Sequence, residues 1–216
     1  MAKNITGENN KIVLFDDAGN EFLFKKKIDG LDIICHGNNN TVRIHKETRF
    51  ISSLFHIGND NVNIEIGKSA CLCINVRCCF GDGQTFKIGD GTQIGQATFF
   101  LDERSGCLIG NDCMFSNGVT VWGADGHGII DCAGGGYVNA VNAPVVIGNH
   151  VWIGFQSTIL KESKISDNSV LGACSVLAKK FEAQNVAIAG NPAKIVRTNI
   201  NWSAQSAFMA ERTVNS

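Results

Sequence analysis

Residues 147–177 read IGNHVW-IGFQST-ILKESK-ISDNSV-LGACSV-L, with an aliphatic side chain at every sixth position: Ile147, Ile153, Ile159, Ile165, Leu171 and Leu177. A step of six cannot be one face of a helix, because 3.6 residues per turn would carry the apolar positions around the cylinder. It suits a strand of about four residues followed by a tight corner. Three such units would close a triangular coil of about 18 residues, each aliphatic side chain pointing inward onto its counterpart in the next turn. The second residue of the unit is often glycine (Gly148, Gly154, Gly172), where an inside corner leaves little room. The same step appears upstream in Ile109, Phe115 and Val121, in Ile88, Ile94 and Phe100, and more weakly in Ile66, Leu72 and Cys78.

Breaks in the period carry as much information as the period. Between Ile94 and Ile109 about three extra residues are needed near Asp102-Glu103-Arg104. Between Val121 and Ile147 about 20 residues must leave the coil, running from Gly123 to Pro144 through Asp125-Gly126-His127-Gly128 and Gly134-Gly135-Gly136. A long loop on a rigid repeat scaffold is where function usually sits.

Composition agrees with a turn-rich all-β chain. The 216 residues include 24 Gly and 22 Asn but 2 Pro. Asn tolerates left-handed corners, and Pro would delete a ladder donor from any strand it entered. A net charge of −1 lacks the basic footprint of a nucleic-acid binder. No window approaches the roughly 18 apolar residues of a membrane span, and no signal peptide opens the chain, so a cytoplasmic location is expected. Nine cysteines, an odd number without any Cys-x2-Cys pair, read as small buried apolar residues in a reducing compartment rather than as disulfides or zinc ligands.

The run Ile147-Gly148-Asn149-His150-Val151-Trp152-Ile153-Gly154, the segment Thr158-Ile159-Leu160-Lys161 and the block Ala187-Ile188-Ala189-Gly190-Asn191-Pro192-Ala193-Lys194 resemble the hexapeptide-repeat acyltransferases. Together with Asp125-Gly126-His127-Gly128-Ile129-Ile130-Asp131, they are similar to the branch that O-acetylates bacterial capsule, polysialic acid and other surface polysaccharides. The resemblance implies an all-β, left-handed parallel β-helix with an extruded loop, assembled as a homotrimer with its sites between subunits. It also implies acetyl-CoA as co-substrate, no metal, and a glycan or sugar acceptor.

Acetyl transfer from a thioester to a hydroxyl needs a base, and histidine is a suitable residue type. His127 is the candidate, because it lies in the one long insertion between two glycines; the plainer alternative is a surface-loop histidine. His150, inside the repeat, reads as a corner residue. Asp125 or Asp131 could fix the imidazole tautomer, or either could cap a turn. Trp152 should face outward near the site, either donating its indole N–H to the thiolate or to the oxyanion of the tetrahedral intermediate, or packing against a loop or neighbour. Gly154, Gly172 and Ala173 are small enough for a pantetheine arm to approach, and Lys179, Lys180, Lys194 and Arg197 follow the last repeats, where the family binds the nucleotide. Other readings are N-acetylation of a nucleotide-linked amino sugar, a γ-type carbonic anhydrase lacking the necessary histidine spacing, and a structural β-helix.

Residues 1–35 read as an N-terminal hairpin cap, with strands near Lys11–Phe15 and Glu21–Lys25. The coil takes 36–190, with its loop at about 123–145. Residues 191–216 form a tail, with a short helix around Trp202, Phe208 and Met209 as one reading and a frayed end as the other.

Overall fold

The six-residue step becomes a strand and a corner, as its chemistry requires. In the computed structural model, which describes residues 4–24, 27–69 and 71–205, each aliphatic residue from Ile147 to Leu177 is at most 2% exposed. Each of them ends a short strand, such as Trp152–Ile153, Thr158–Ile159 or Lys164–Ile165. Strands one turn apart pair in parallel: Ile147 with Ile165, Ile153 with Leu171, Ile159 with Leu177. Full burial of such a side chain contributes about 1.5–3 kcal/mol, so the column down the axis is the main source of stability.

Two residues before each inward aliphatic stands a second buried position, occupied by Val145 and Val151 and then by Ser157, Ser163, Ser169 and Ser175. The serine side chains are small enough to sit inside the turn, and each hydroxyl donates to a backbone carbonyl, Ser157 Oγ to Gly172 O at 2.9 Å for example. The corners are held by another device. Asp90 Oδ1 accepts from the Lys68 amide, Asn111 Oδ1 from Asp90, Asn149 Oδ1 from Asn111, and Asp167 Oδ1 from Asn149, at 2.8–2.9 Å. One Asx side chain per turn thus satisfies the corner amide of the turn before it, which gives the asparagine content a structural role.

The coil has three faces. The first carries Met114–Phe115, Trp152–Ile153, Val170–Leu171 and Ala187–Gly190. The second carries Val119–Trp122, Thr158–Ile159 and Val176–Leu177, and the third Gly106–Ile109, Val145–Ile147, Lys164–Ile165 and Lys180–Phe181. Toward the N-terminus a turn takes 22 residues instead of 18, Val42 pairing with Ile64 and Ile64 with Phe86. There the first two faces merge into continuous strands, Leu72–Cys78 and Gln93–Phe100. In these 22-residue turns the added residues, 79–84 and 101–105 among them, lie at the corner between the second and third faces. Phe55, Phe86 and Phe99, none more than 1% exposed, fill the wider interior.

Four expectations change. The strand Gln93–Phe100 has a register irregularity between Ile94 and Ala97, so Phe99 points inward and Phe100 outward, one residue off the six-step. The parallel ladder begins before residue 36: Asn4–Ile5 pairs with Ile34–Cys35 and Lys11–Phe15 with Thr41–His45. Lys11–Phe15 also pairs antiparallel with Glu21–Leu23, so the hairpin grows from the first turn instead of standing apart as a cap. At the other end, Ala187–Gly190 folds back antiparallel onto Ala193–Arg197, and residues 198–205 contain no helix. Phe208 and Met209 lie outside the described residues. No helix among the described residues is long and apolar enough to cross a membrane.

Candidate active site

The chain leaves the coil after Val119–Trp122 and returns at Val145–Ile147. Across this gap Asn111 bonds to Asn149, 38 residues on, where the next link in the same ladder spans 18. The excursion is a narrow hairpin: Ile130 bridges Tyr137 antiparallel, and the Val138 amide donates to Ile129 O at 2.9 Å. Gly128 lets the Tyr137 ring lie close against the backbone, since a Cβ there would stand 2.4 Å from it.

Its root is fastened to the coil by polar contacts. Lys161 Nζ lies 2.6 Å from Asp125 Oδ2 and 2.6 Å from Asn139 O. Asn139 Nδ2 donates to Asp125 Oδ2 at 2.7 Å and to His127 O at 2.8 Å, while its Oδ1 accepts from the Ile129 amide. The Lys161 ammonium, followed by the Asn139 amide, holds the Asp125 carboxyl below the usual carboxylate range. The backbone of His127 is therefore fixed while its imidazole is exposed, without a hydrogen-bond partner among the described residues. Asp125 anchors the loop and does not orient the imidazole. Asp131 caps a turn, its Oδ1 accepting from the Ala133 amide at 2.9 Å.

Beneath His127 lies a cavity of about 510 Å³, lined by Arg77, Phe80, Phe100, Asp102 and Trp122 together with the loop root. Phe100 and Trp122 occupy neighbouring strands in register and stack with centroids 4.1 Å apart and planes 12° apart. None of these wall residues, nor Lys161, was assigned a role from sequence. Trp122 was legible as the residue after the inward Val121, but Phe100 was hidden by the register irregularity.

Residues 144–179 match the family model described as bacterial transferase hexapeptide (six repeats). A polysialic acid O-acetyltransferase from Neisseria meningitidis is 35% identical over 166 residues, covering 77% of this chain and 76% of that protein. The chain belongs to the hexapeptide-repeat O-acetyltransferases. A polysialic acid O-acetyltransferase from Escherichia coli O1:K1 is 30% identical over 56% of this chain, which spans 39% of that relative. Among solved structures, the polySia-specific acetyltransferase NeuO shares the fold, with a TM-score of 0.81 at 24% identity over 99% of this chain and 97% of that one. The polysialic acid O-acetyltransferase OatWY has a TM-score of 0.63 at 27% identity, over 100% and 99% of the two chains.

Within one copy of this hexapeptide-repeat O-acetyltransferase, Trp152 is not beside His127. It stands on the first face, its Nε1 3.4 Å from Ser116 Oγ, with Trp202 at a centroid distance of 6.3 Å. Trp202 stacks on His150 at 4.3 Å and donates its indole N–H to His150 O at 2.7 Å, so the described part of the tail docks through a ring. His150 is a corner residue, with φ of 53°.

The residues expected to hold acetyl-CoA divide into groups. Gly154 is buried, and a Cβ there would meet Ala173 N at 2.5 Å, so its small size serves the stacking of turns. Gly172 is half-buried, with Ala189 Cβ 3.0 Å from an added Cβ, while Ala173 and Cys174 are exposed at the corner and accessible to a ligand. Lys179 and Lys180 lie at the start of the third face, Lys194 and Arg197 on the returning strand of the first, and all four are exposed. They form two pairs and not one cluster. The cysteines divide as well: Cys35, Cys78, Cys107 and Cys113 are buried, but Cys132 and Cys174 are exposed.

Proposed function

We propose that this acetyltransferase moves an acetyl group from acetyl-CoA to a hydroxyl of an acidic bacterial surface glycan, with His127 as the base. The observation that carries this reading is the placement of His127 at the mouth of the aromatic cavity, on a backbone fastened to the coil by Lys161 and Asn139. The Neisseria relative, named for O-acetylation of polysialic acid, supports the acceptor class.

When bound, acetyl-CoA supplies an acyl carbon activated as a thioester. The chain's part is to position the acceptor and to handle one proton. His127 takes the proton from the sugar hydroxyl as that oxygen bonds to the acyl carbon, then returns it to the departing thiolate, leaving no acyl group on the protein. Cys132 has no role in this route. The exposed corner at Ala173 fits the pantetheine arm, and Lys179 with Lys180 suit the nucleotide phosphates.

The winding is taken as left-handed and the assembly as a trimer, from the family resemblance. In such a trimer Trp152 of one copy meets the His127 loop of the next, which accounts for their separation on one chain. The enzyme works in the cytoplasm on this reading, where acetyl-CoA is available.

Thiol release from acetyl-CoA, measured against a panel of acidic glycans, neutral glycans and nucleotide-linked amino sugars, tests the reading. His127→Ala should lower turnover about 10²–10⁴-fold. Turnover confined to the amino sugars would replace O-transfer by N-transfer, and an unimpaired His127→Ala enzyme would remove the base.

A further inference from the structure

We propose that Arg77, beside the Phe100–Trp122 stack, binds a carboxylate of the acceptor glycan and so sets a preference for acidic sugars. The proposal rests on the acetyl-transfer reading above and assigns its charge selectivity to one residue.

Four outward-facing residues on neighbouring strands form a column across the second face. His56 pairs in register with Arg77, Arg77 with Phe100, and Phe100 with Trp122. The last three line the cavity under His127. The Arg77 guanidinium lies over the Phe100 ring, 5.7 Å from its centroid, a contact that uses none of its N–H donors. Arg77 is exposed and forms no ion pair among the described residues.

The corresponding column on the third face is different. There Arg43 pairs with both Glu21 and Glu65, and Lys87 closes on Glu65 at 2.9 Å. That column is internally neutralised, whereas the second-face column presents an unpaired fork of donors next to 41%-exposed indole. A guanidinium matches a carboxylate through two parallel hydrogen bonds, and a stacked aromatic pair offers a flat apolar surface to the C–H face of a sugar. Asp102 also lines the cavity, but its Oδ1 accepts from the amides of Cys79 and Phe80, at 3.3 and 3.2 Å. Its charge would repel an acidic sugar if Arg77 were absent, which makes the arginine decisive. Neighbouring strands are about 4.8 Å apart, so the Arg77 and Trp122 rungs stand about 10 Å apart. The column is long enough to seat a sugar ring.

The test compares an oligomer of sialic acid with its carboxyl methyl ester as acceptors for the wild type, Arg77→Gln and Arg77→Lys, all first matched for thermal unfolding. Arg77→Gln should raise the KM for the acidic oligomer about 10–100-fold, leave the ester and the KM for acetyl-CoA unchanged, and be partly rescued by lysine. An unchanged preference for the acid over the ester, or an effect on acetyl-CoA instead, would overturn the proposal. Calorimetric binding of the same two oligomers to His127→Ala, with and without Arg77→Gln, reads the contact without turnover. Failure of acetyl transfer in the wild type and failure of carboxylate recognition are thereby separate results.

Discussion

Lys161, on the coil, holds Asp125, at the base of the excursion, through a 2.6 Å ion pair, and the same ammonium takes the Asn139 carbonyl where the chain comes back. One cation thus joins both limbs of the hairpin to the scaffold. Lys161→Met should leave the coil folded, because the faces pair without it, yet displace the backbone under His127. Loss of kcat by about 10–100-fold is expected, with the KM for acetyl-CoA unchanged. Steady-state thiol release checks this, and a variant with normal kcat would show that the loop is positioned by something else.

Asp125 also predicts a pH dependence. Its carboxyl is held below the ordinary range by Lys161 and Asn139. A carboxyl whose folded value is lowered contributes stability above its unfolded value and loses it as the pH falls through the folded one. Hydrogen exchange of amides 127–139, corrected for the intrinsic rate, should therefore show the same protection from about pH 8 down to about pH 5. Protection should fail only below about pH 4. An onset near pH 6 would mean that a different group controls the anchor.

The thiols give a prediction that does not involve catalysis. Burial raises the Cys78 and Cys107 thiols far above their ordinary range and pushes Cys113 up to about 11. Cys113 also donates to Gly148 O at 3.1 Å. Under native conditions an aromatic disulfide reagent should label Cys132 and Cys174 rapidly and leave these three unlabelled until the protein unfolds. Mass spectrometry of the labelled peptides decides it, and early modification of Cys107 would contradict the packing of the coil.

Gly154 and Gly136 form a matched pair. A Cβ at 154 would meet backbone at 2.5 Å, whereas at 136 nothing lies within 4 Å. Gly154→Ala should cost about 1–3 kcal/mol, seen as a lower melting temperature, and Gly136→Ala should leave it unchanged. If Gly154→Ala instead raised only the KM for acetyl-CoA at full stability, this glycine would belong to the ligand site after all.

Most of the fold was legible because repetition amplifies weak signals: six aliphatic residues in step outweigh any local propensity. Where the step failed, so did the reading. A single irregularity before Ala97 turned Phe100 outward and concealed half of the aromatic stack. The first turns were missed because 22-residue spacing is not a multiple of six, so Val42, Ile64 and Phe86, which stack in register, showed no common period. His127 stood out since an insertion into a regular coil is conspicuous from sequence. The partners of Asp125 and Trp152 were not legible, because Lys161 and Ser116 are distant in the chain and meet them only through the pairing of turns.

The widened corner between the second and third faces has a consequence for how such a site arises. Residues 79–84 and 101–105 already bulge there, one turn above another, before the chain departs at Gly123. Four more residues per turn add about 13 Å of perimeter, since a strand advances about 3.3 Å per residue. After the hairpin the corner closes, and the narrow turns begin. His127 therefore overhangs a step in the girth of the molecule, and Phe80 and Asp102 form its tread. Length can be added at that one corner without disturbing a single rung on the faces, because the rungs are made elsewhere. The excursion that carries His127 is the longest of the segments added at that corner, and the surface beside it can be remodelled turn by turn while the axial column that holds the protein together stays the same.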